Sequence, residues 1–196
     1  MFATKILVMA GSLRAGSHNG RLAALVTKEL ALAEAEVTRI SLADYPLPLL
    51  DGDFAAVGPP ENAIRLKRML AAHQGVFIAS PEYTASVTPL LKNTIDWLTR
   101  VREGDEPAYA AFRSRVFALG CAVPAVAGGV RALMALRQIL ELGCGALVLP
   151  EQLNIGRADE AFDEMDNLKD QELMIGLKDM VRRLIELSST MPRTMQ

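Results

Sequence analysis

The segment from Lys5 to Ala10 (KILVMA) is apolar throughout after its lysine and runs directly into Gly11 and Ser12. A short apolar run closed by turn residues is the pattern of a strand covered on both faces, so it predicts a central parallel strand. Beyond the glycine-rich turn, Leu22, Leu25, Val26, Leu30 and Ala33 recur at helical spacing with Arg21, Lys28, Glu29 and Glu34 opposite them, which predicts an amphipathic helix. Glu36 to Leu42 alternates Val37, Arg39 and Ser41 with Thr38, Ile40 and Leu42, the pattern of a less buried strand near a sheet edge. Gly75 to Ser80 (GVFIAS), Arg115 to Cys121 and Ala146 to Leu149 repeat the strand signal. Helices are expected over Glu61 to His73, along the stripe from Leu91 to Val101, from Gly128 and Gly129 through Leu140, and from Asn167 to Leu187. From Tyr45 to Pro60, four prolines, two glycines and two aspartates interrupt any period, so one long loop is expected there.

Strands that alternate with helices, never two in succession, call for a parallel sheet covered on both faces. Five strands favour the doubly wound order 2-1-3-4-5 over the six-stranded alternative. The 196 residues show no repeat or change of composition and are expected to form a single domain, with residues 190–196 as a flexible tail.

Composition narrows the function. Half the residues are apolar (51%), and 21 basic against 23 acidic side chains leave a net charge of −2. That balance lacks the basic footprint of a nucleic-acid binder. No segment approaches the ~20 apolar residues of a membrane span, and the start of the chain lacks a signal-peptide pattern. Two cysteines, Cys121 and Cys144, exclude a disulfide framework and a four-cysteine zinc site and fit a reducing, cytoplasmic setting. Both end or follow apolar stretches without a basic neighbour, and both read as inert buried thiols. No His, Cys and carboxylate cluster has metal-ligand spacing, and no Ser, His, Asp set can be argued.

Ligands of doubly wound sheets bind at the carboxyl ends of the strands, here the turns after strands one, three and four. The first turn, AGSLRAGSHNG from Ala10 to Gly20, gathers Ser12, Ser17, Asn19 and Arg14 around Gly11, Gly16 and Gly20, just before a helix whose first amides lack partners. This is a site for a compact dianion. Ser17 and His18 stand where a P-loop needs Lys and Ser/Thr, which disfavours a nucleotide triphosphatase, and the fingerprint G-x-G-x-x-G is absent. A terminal monophosphate remains the best ligand.

Together with GSLRAGSHN, the second turn (SPEYTASVTPLLKNTIDWL, Ser80 to Leu98) and the third (GGVRALMALRQIL, Gly128 to Leu140) resemble the NADPH-dependent FMN reductase family, a flavodoxin-like group that includes quinone, azo and chromate reductases. The resemblance implies that Ser12, Arg14, Ser17, Asn19 and Gly20 hold the FMN phosphate and that Pro81, Glu82, Tyr83, Thr84 and Ser86 flank the isoalloxazine ring. Lys92, Asp96 and Trp97, on the following helix, read as packing, capping or dimer-contact groups. The chain departs from the family at Thr84, where asparagine is usual, and at Cys121, Val123 and Ala125, where serines and a glycine are common. Fewer polar groups are then left to face the ring.

The resemblance further implies an FMN-dependent oxidoreductase that takes hydride from NADPH (or NADH) and reduces a quinone, flavin, azo or oxyanion acceptor by a ping-pong mechanism. The alternative is a flavin-binding electron carrier or flavin-sensing module without NADPH turnover. A homodimer or homotetramer is expected as well: Leu47, Leu49, Leu50 and Phe54 of the proline-rich loop, with Tyr83, would otherwise form an exposed apolar patch beside the cleft.

Overall fold

Ile6 and Val8 are buried on one face of the first strand and Leu7 and Met9 on the other, as a strand between two helix layers requires. The computed structural model describes residues 3–191, without the side chains of residues 54–56. Phe54, and residues 192–196 of the expected tail, therefore lie outside the described residues.

Among the described residues, five parallel strands form one sheet in the order β2-β1-β3-β4-β5: β1 (Lys5–Ala10), β2 (Glu36–Ser41), β3 (Gly75–Ala79), β4 (Val116–Ala122) and β5 (Leu147–Ile155). The expected order and the expected edge position of β2 both hold. One face is covered by α1 (His18–Leu32) and α8 (Gln171–Ser189), through Leu22, Val26 and Leu30 of the first and Leu177, Met180 and Leu184 of the second. The other carries α3 (Glu61–Ala72), α4 (Pro89–Arg100) and α6 (Val130–Gln138), with Leu66, Leu91, Ile95 and Leu136 packed inward. No helix among the described residues is long and apolar enough to cross a membrane.

Three expectations change. The stretch from Tyr45 to Pro60 contains a short helix, α2 (Gly52–Val57). It is also less exposed than its composition predicts. Trp97, fully buried, donates from Nε1 to the Pro48 carbonyl at 2.7 Å. Asn93 donates to the same oxygen and accepts from the Leu50 amide at 2.8 Å. Leu47 and Leu50 then pack against Trp97, Ala63 and Val101, which leaves Leu49 exposed. Of the apolar side chains predicted for a dimer contact from this loop, Leu47 and Leu50 are thus used within the chain.

The strand expected to stop at Leu149 continues to Ile155, since its pairing with β4 steps from Phe117–Val148 to Leu119–Gln152. Pro150 sits in that irregularity on an edge strand, where a missing amide costs no ladder bond. The last helix begins at Gln171, capped by Asp170, because Asn167 is held by Asp163 in a preceding turn. The short helices α5 (Ala110–Arg113) and α7 (Ala158–Ala161) carry too few residues to show a period.

Candidate functional site

Three loops meet above the carboxyl ends of β1, β3 and β4. The first follows Ala10. Its Gly11 amide donates to the Ala79 carbonyl at 2.8 Å, seating the turn on β3. Ser17 caps α1, its hydroxyl accepting from the Gly20 amide at 2.9 Å. The earlier amides of that turn, those of His18 and Asn19, are the orphan donors that every helix start presents, at the positive end of its dipole. Ser12 accepts from the Arg14 amide at 3.3 Å, which curls the loop and leaves the Arg14 guanidinium exposed with no partner among the described residues.

The second loop follows Ala79. Tyr83 and Ser86 exchange two backbone hydrogen bonds of 3.0 Å around Thr84 (φ 47°) and Ala85 (φ 61°). Two consecutive left-handed residues between a paired couple make a type I′ turn. Tyr83 stands out from it, 56% exposed. Glu82 turns the other way, its side chain 8% exposed. There it accepts from Arg131 and from the Ala132 amide at 3.2 Å. Burial would raise the Glu82 pKa, but the bonds from Arg131 and Ala132 outweigh it and hold the carboxyl below the usual carboxylate range.

The third loop, after Ala122, presents Val123, Pro124 and Ala125, none of which carries a side-chain donor. Gly128 (φ 69°) closes it, and a Cβ there would meet the Asn154 amide at 2.1 Å. Asn154 holds this loop from β5, accepting from the Gly129 amide at 2.7 Å and donating to the Ala127 carbonyl at 3.0 Å. Cys121 lies beneath, fully buried, with its thiol pushed up to about 12, first by burial and then by the Glu82 charge. Burial likewise pushes Cys144 to about 11. Both are inert thiols at neutral pH, as expected from their settings.

A cleft of about 280 Å³ opens between the loops. Of the residues singled out by sequence, Ser12, Arg14, Ser17, Asn19, Pro81, Glu82 and Tyr83 line it. Gly20 lines a neighbouring hollow behind the first loop, and Thr84 and Ser86 build the turn without lining the cleft. Asn19 reaches the cleft wall but its amide is engaged on both sides by the Ala122 backbone. Two builders of the site were not singled out in the sequence. Thr88 caps α4 and donates to the Gly11 carbonyl at 2.8 Å, locking the first loop to the second. Its signal was Thr88–Pro89 before an apolar helical stripe, a helix start. Asn154 acts across the fold and has no local signal.

His18 lies on the same wall. Its Nε2 is 3.0 Å from Asp159 Oδ1, and its Nδ1 is buried without a hydrogen-bond partner among the described residues. With the unpaired Arg14 and the first-turn amides of α1, this is a donor set for a dianion, and the wall from Val123 to Ala125 carries no side-chain polar group. A flavin monophosphate, anionic at one end and planar at the other, fits both.

A doubly wound parallel sheet with an anion loop after its first strand and an apolar cleft beside it defines a flavodoxin-like nucleotide-binding protein. An archaeal flavodoxin shares this fold, with a TM-score of 0.58 at 12% identity over 95% of this chain and 99% of its own. The sequence pattern of NADPH-dependent FMN reductases matches residues 4–160, and the chain belongs to that family. It is 33% identical over 189 residues to an NAD(P)H-dependent FMN reductase of Pseudomonas aeruginosa, covering 92% of this chain and 96% of that one. A quinone reductase of Escherichia coli K12 is 37% identical over 138 residues, 69% of each chain. FerB, an NAD(P)H:(acceptor) oxidoreductase from Paracoccus denitrificans, superposes with a TM-score of 0.76 at 26% identity, covering 96% of this chain and 99% of its own.

Proposed function

We propose that the cleft binds FMN and that the chain acts as a single-domain NAD(P)H-dependent flavin oxidoreductase whose acceptor is a small molecule of the quinone type. The observation that carries this reading is the opening of the anion loop and the apolar wall into one cleft. Ser12, Ser17, Arg14 and the first-turn amides of α1 take the phosphate, while Pro81, Tyr83 and the wall from Val123 to Ala125 flank the ring. Asn19 contributes by holding α1 against β4, and Gly20 by closing the cap on Ser17. Thr84 and Ser86 set the turn that carries Tyr83.

FMN bound there would supply the hydride and electron chemistry. The surrounding residues bind and orient. Glu82 is ionised and tied to Arg131, and Cys121 is held as a thiol, so neither acts as a proton relay beside the ring. Tyr83 leaves its side of the cleft open to solvent, where nicotinamide and acceptor would enter in turn, and this supports a ping-pong order. Free flavin, azo dyes and oxyanions of high-valent metals are further acceptors under this reading.

The free thiols of Cys121 and Cys144 support a cytoplasmic setting. Tyr83, Val126, Val130 and Met134, exposed on or next to the cleft loops, support a homodimer or homotetramer.

An anaerobic titration of the FMN-loaded protein with NADPH tests the reading. Bleaching of the flavin band, reversed by added quinone, is the expected result. A flavin that dithionite reduces but neither NADPH nor NADH does would place the protein among flavin carriers or sensors. Arg14→Ala should weaken FMN about tenfold to a hundredfold, the worth of a charge-assisted hydrogen bond, and riboflavin should bind far more weakly than FMN. Equal affinities for FMN and riboflavin would remove the phosphate from this loop.

A further inference from the structure

A second hollow, of about 560 Å³, lies behind the phosphate loop, between the start of α1 and the carboxyl end of β2. It shares Ser12, Arg14 and Ser17 with the flavin cleft, so the loop forms a common wall with one space on each side. Arg39 lines it from β2, two positions from Val37, whose side chain packs into the core under α1. The period of two along a strand brings Arg39 and Ser41 to the same face.

The charge in this hollow is mostly unanswered. Arg14 and Arg39 are exposed, and neither guanidinium has an ion-pair or hydrogen-bond partner among the described residues. Arg21, at the far wall, is neutralised by Asp166 at 2.6 Å and lies over the Phe162 ring at 4.6 Å. Asp44 brings one carboxylate to the rim. The Ser41 hydroxyl accepts from the Ala43 amide at 3.3 Å and keeps its own proton to donate. Two planar forks, a hydroxyl and one opposing carboxylate describe a site for a phosphate that is not the one on the loop.

Its place in the fold says what carries that phosphate. In parallel sheets that hold dinucleotides, the adenosine ribose lies over the carboxyl end of the second strand, where an acidic side chain receives a free 2′-hydroxyl and an arginine receives a 2′-phosphate. In this chain the side chains at that point are Arg39 and Ser41. We propose that the hollow is a subsite for the phosphorylated adenosine half of a dinucleotide, with Arg39 as the residue that receives its phosphate. Two ligands share this chemistry: NADPH, through its 2′-phosphate, and FAD, whose adenylyl group would continue from the flavin phosphate across the loop. The proposal rests on the flavin reading only for the position of the first phosphate.

The test uses the full chain with Arg39→Ala and Arg39→Lys, exposed edge-strand variants whose folding is checked by circular dichroism. Binding of 2′,5′-ADP, FAD and FMN is measured by calorimetry, and KM for NADPH and NADH by steady-state assay. A loss of about tenfold or more in 2′,5′-ADP affinity and a matching rise in KM for NADPH, with FMN affinity and KM for NADH unchanged, supports the subsite filled by NADPH; Arg39→Lys should fall between. A tenfold loss for FAD with 2′,5′-ADP unaffected supports the same subsite filled from the flavin side. Unchanged 2′,5′-ADP, NADPH and FAD values in Arg39→Ala overturn it. Should FMN fail to bind wild-type protein, the flavin reading falls, while the 2′,5′-ADP titration still decides the subsite by its dependence on Arg39.

Discussion

Asn19 and Ala122, 103 residues apart, exchange two hydrogen bonds: Asn19 Nδ2 donates to the Ala122 carbonyl at 2.8 Å, and the Ala122 amide donates to Asn19 Oδ1 at 3.0 Å. The side chain thus completes the backbone pairing of β4 where the strand ends and fixes the first turn of α1 over the sheet. Both partners are buried. Asn19→Ala leaves an amide and a carbonyl unpaired in the core, each costing about 1–3 kcal/mol, so unfolding by denaturant should show a loss of about 2–6 kcal/mol. Asn19→Asp keeps the acceptor but loses the donor and should fall between. A loss under about 0.5 kcal/mol in Asn19→Ala would show that water replaces the clamp.

The turn that carries Tyr83 is strained. Thr84 and Ala85 both occupy the left-handed region, which costs an L-residue roughly 1–2 kcal/mol and suits a β-branched one least. Asn-Gly is the preferred pair for this turn. Thr84→Asn with Ala85→Gly should therefore stabilise the protein by about 1–2 kcal/mol, read as a higher melting temperature. A lower one would mean that Thr84 makes up its strain elsewhere.

The order of the sheet followed from the count of five strands alternating with helices, which singles out one doubly wound arrangement, and the edge place of β2 from its alternation of apolar and polar residues. The first loop was legible because Ser12, Arg14 and Ser17 line the cleft as near neighbours in the sequence. What pattern misses is what the chain settles at a distance. The Asn19 side chain carries no sequence sign of its pairing with the Ala122 backbone, 103 residues away. Leu47 and Leu50 read as an exposed patch until Trp97 and Asn93 anchor Pro48. The end of β5 was hidden by Pro150, a strand breaker that an edge strand tolerates.

The thiols supply a prediction with two arms. Cys121 and Cys144 have folded pKa values raised to about 12 and about 11, chiefly by burial. A group whose pKa is raised on folding contributes stability below its unfolded pKa, near 8.5 for a thiol, and loses it as pH rises toward the folded value. Stability of the wild type should fall between about pH 8.5 and 11, and Cys121→Ala with Cys144→Ala should flatten that slope. In the second arm, a disulfide-exchange reagent at pH 7 should label neither thiol faster than the chain unfolds. Rapid labelling of native protein would show the thiols accessible and refute their inert role.

Glu82 joins two of the three cleft loops, because its carboxylate, carried by the turn of Tyr83, caps the first turn of α6 through the Ala132 amide and pairs with Arg131. Its folded pKa lies below the usual carboxylate value, since those bonds outweigh a burial effect that acts the other way. A depressed folded pKa contributes stability above the unfolded pKa, about 4.3 for glutamate, and that contribution is lost as pH falls through the lower, folded value. Glu82→Gln keeps the shape and an acceptor but removes the charge. At pH 7 it should melt below the wild type, and the gap between the two curves should close as pH falls below about 4.3. Thermal melts across that range read the difference directly. A gap that stays constant into acid would mean that Glu82 acts by packing and neutral hydrogen bonds, and that its charge does not help hold the Tyr83 turn against α6.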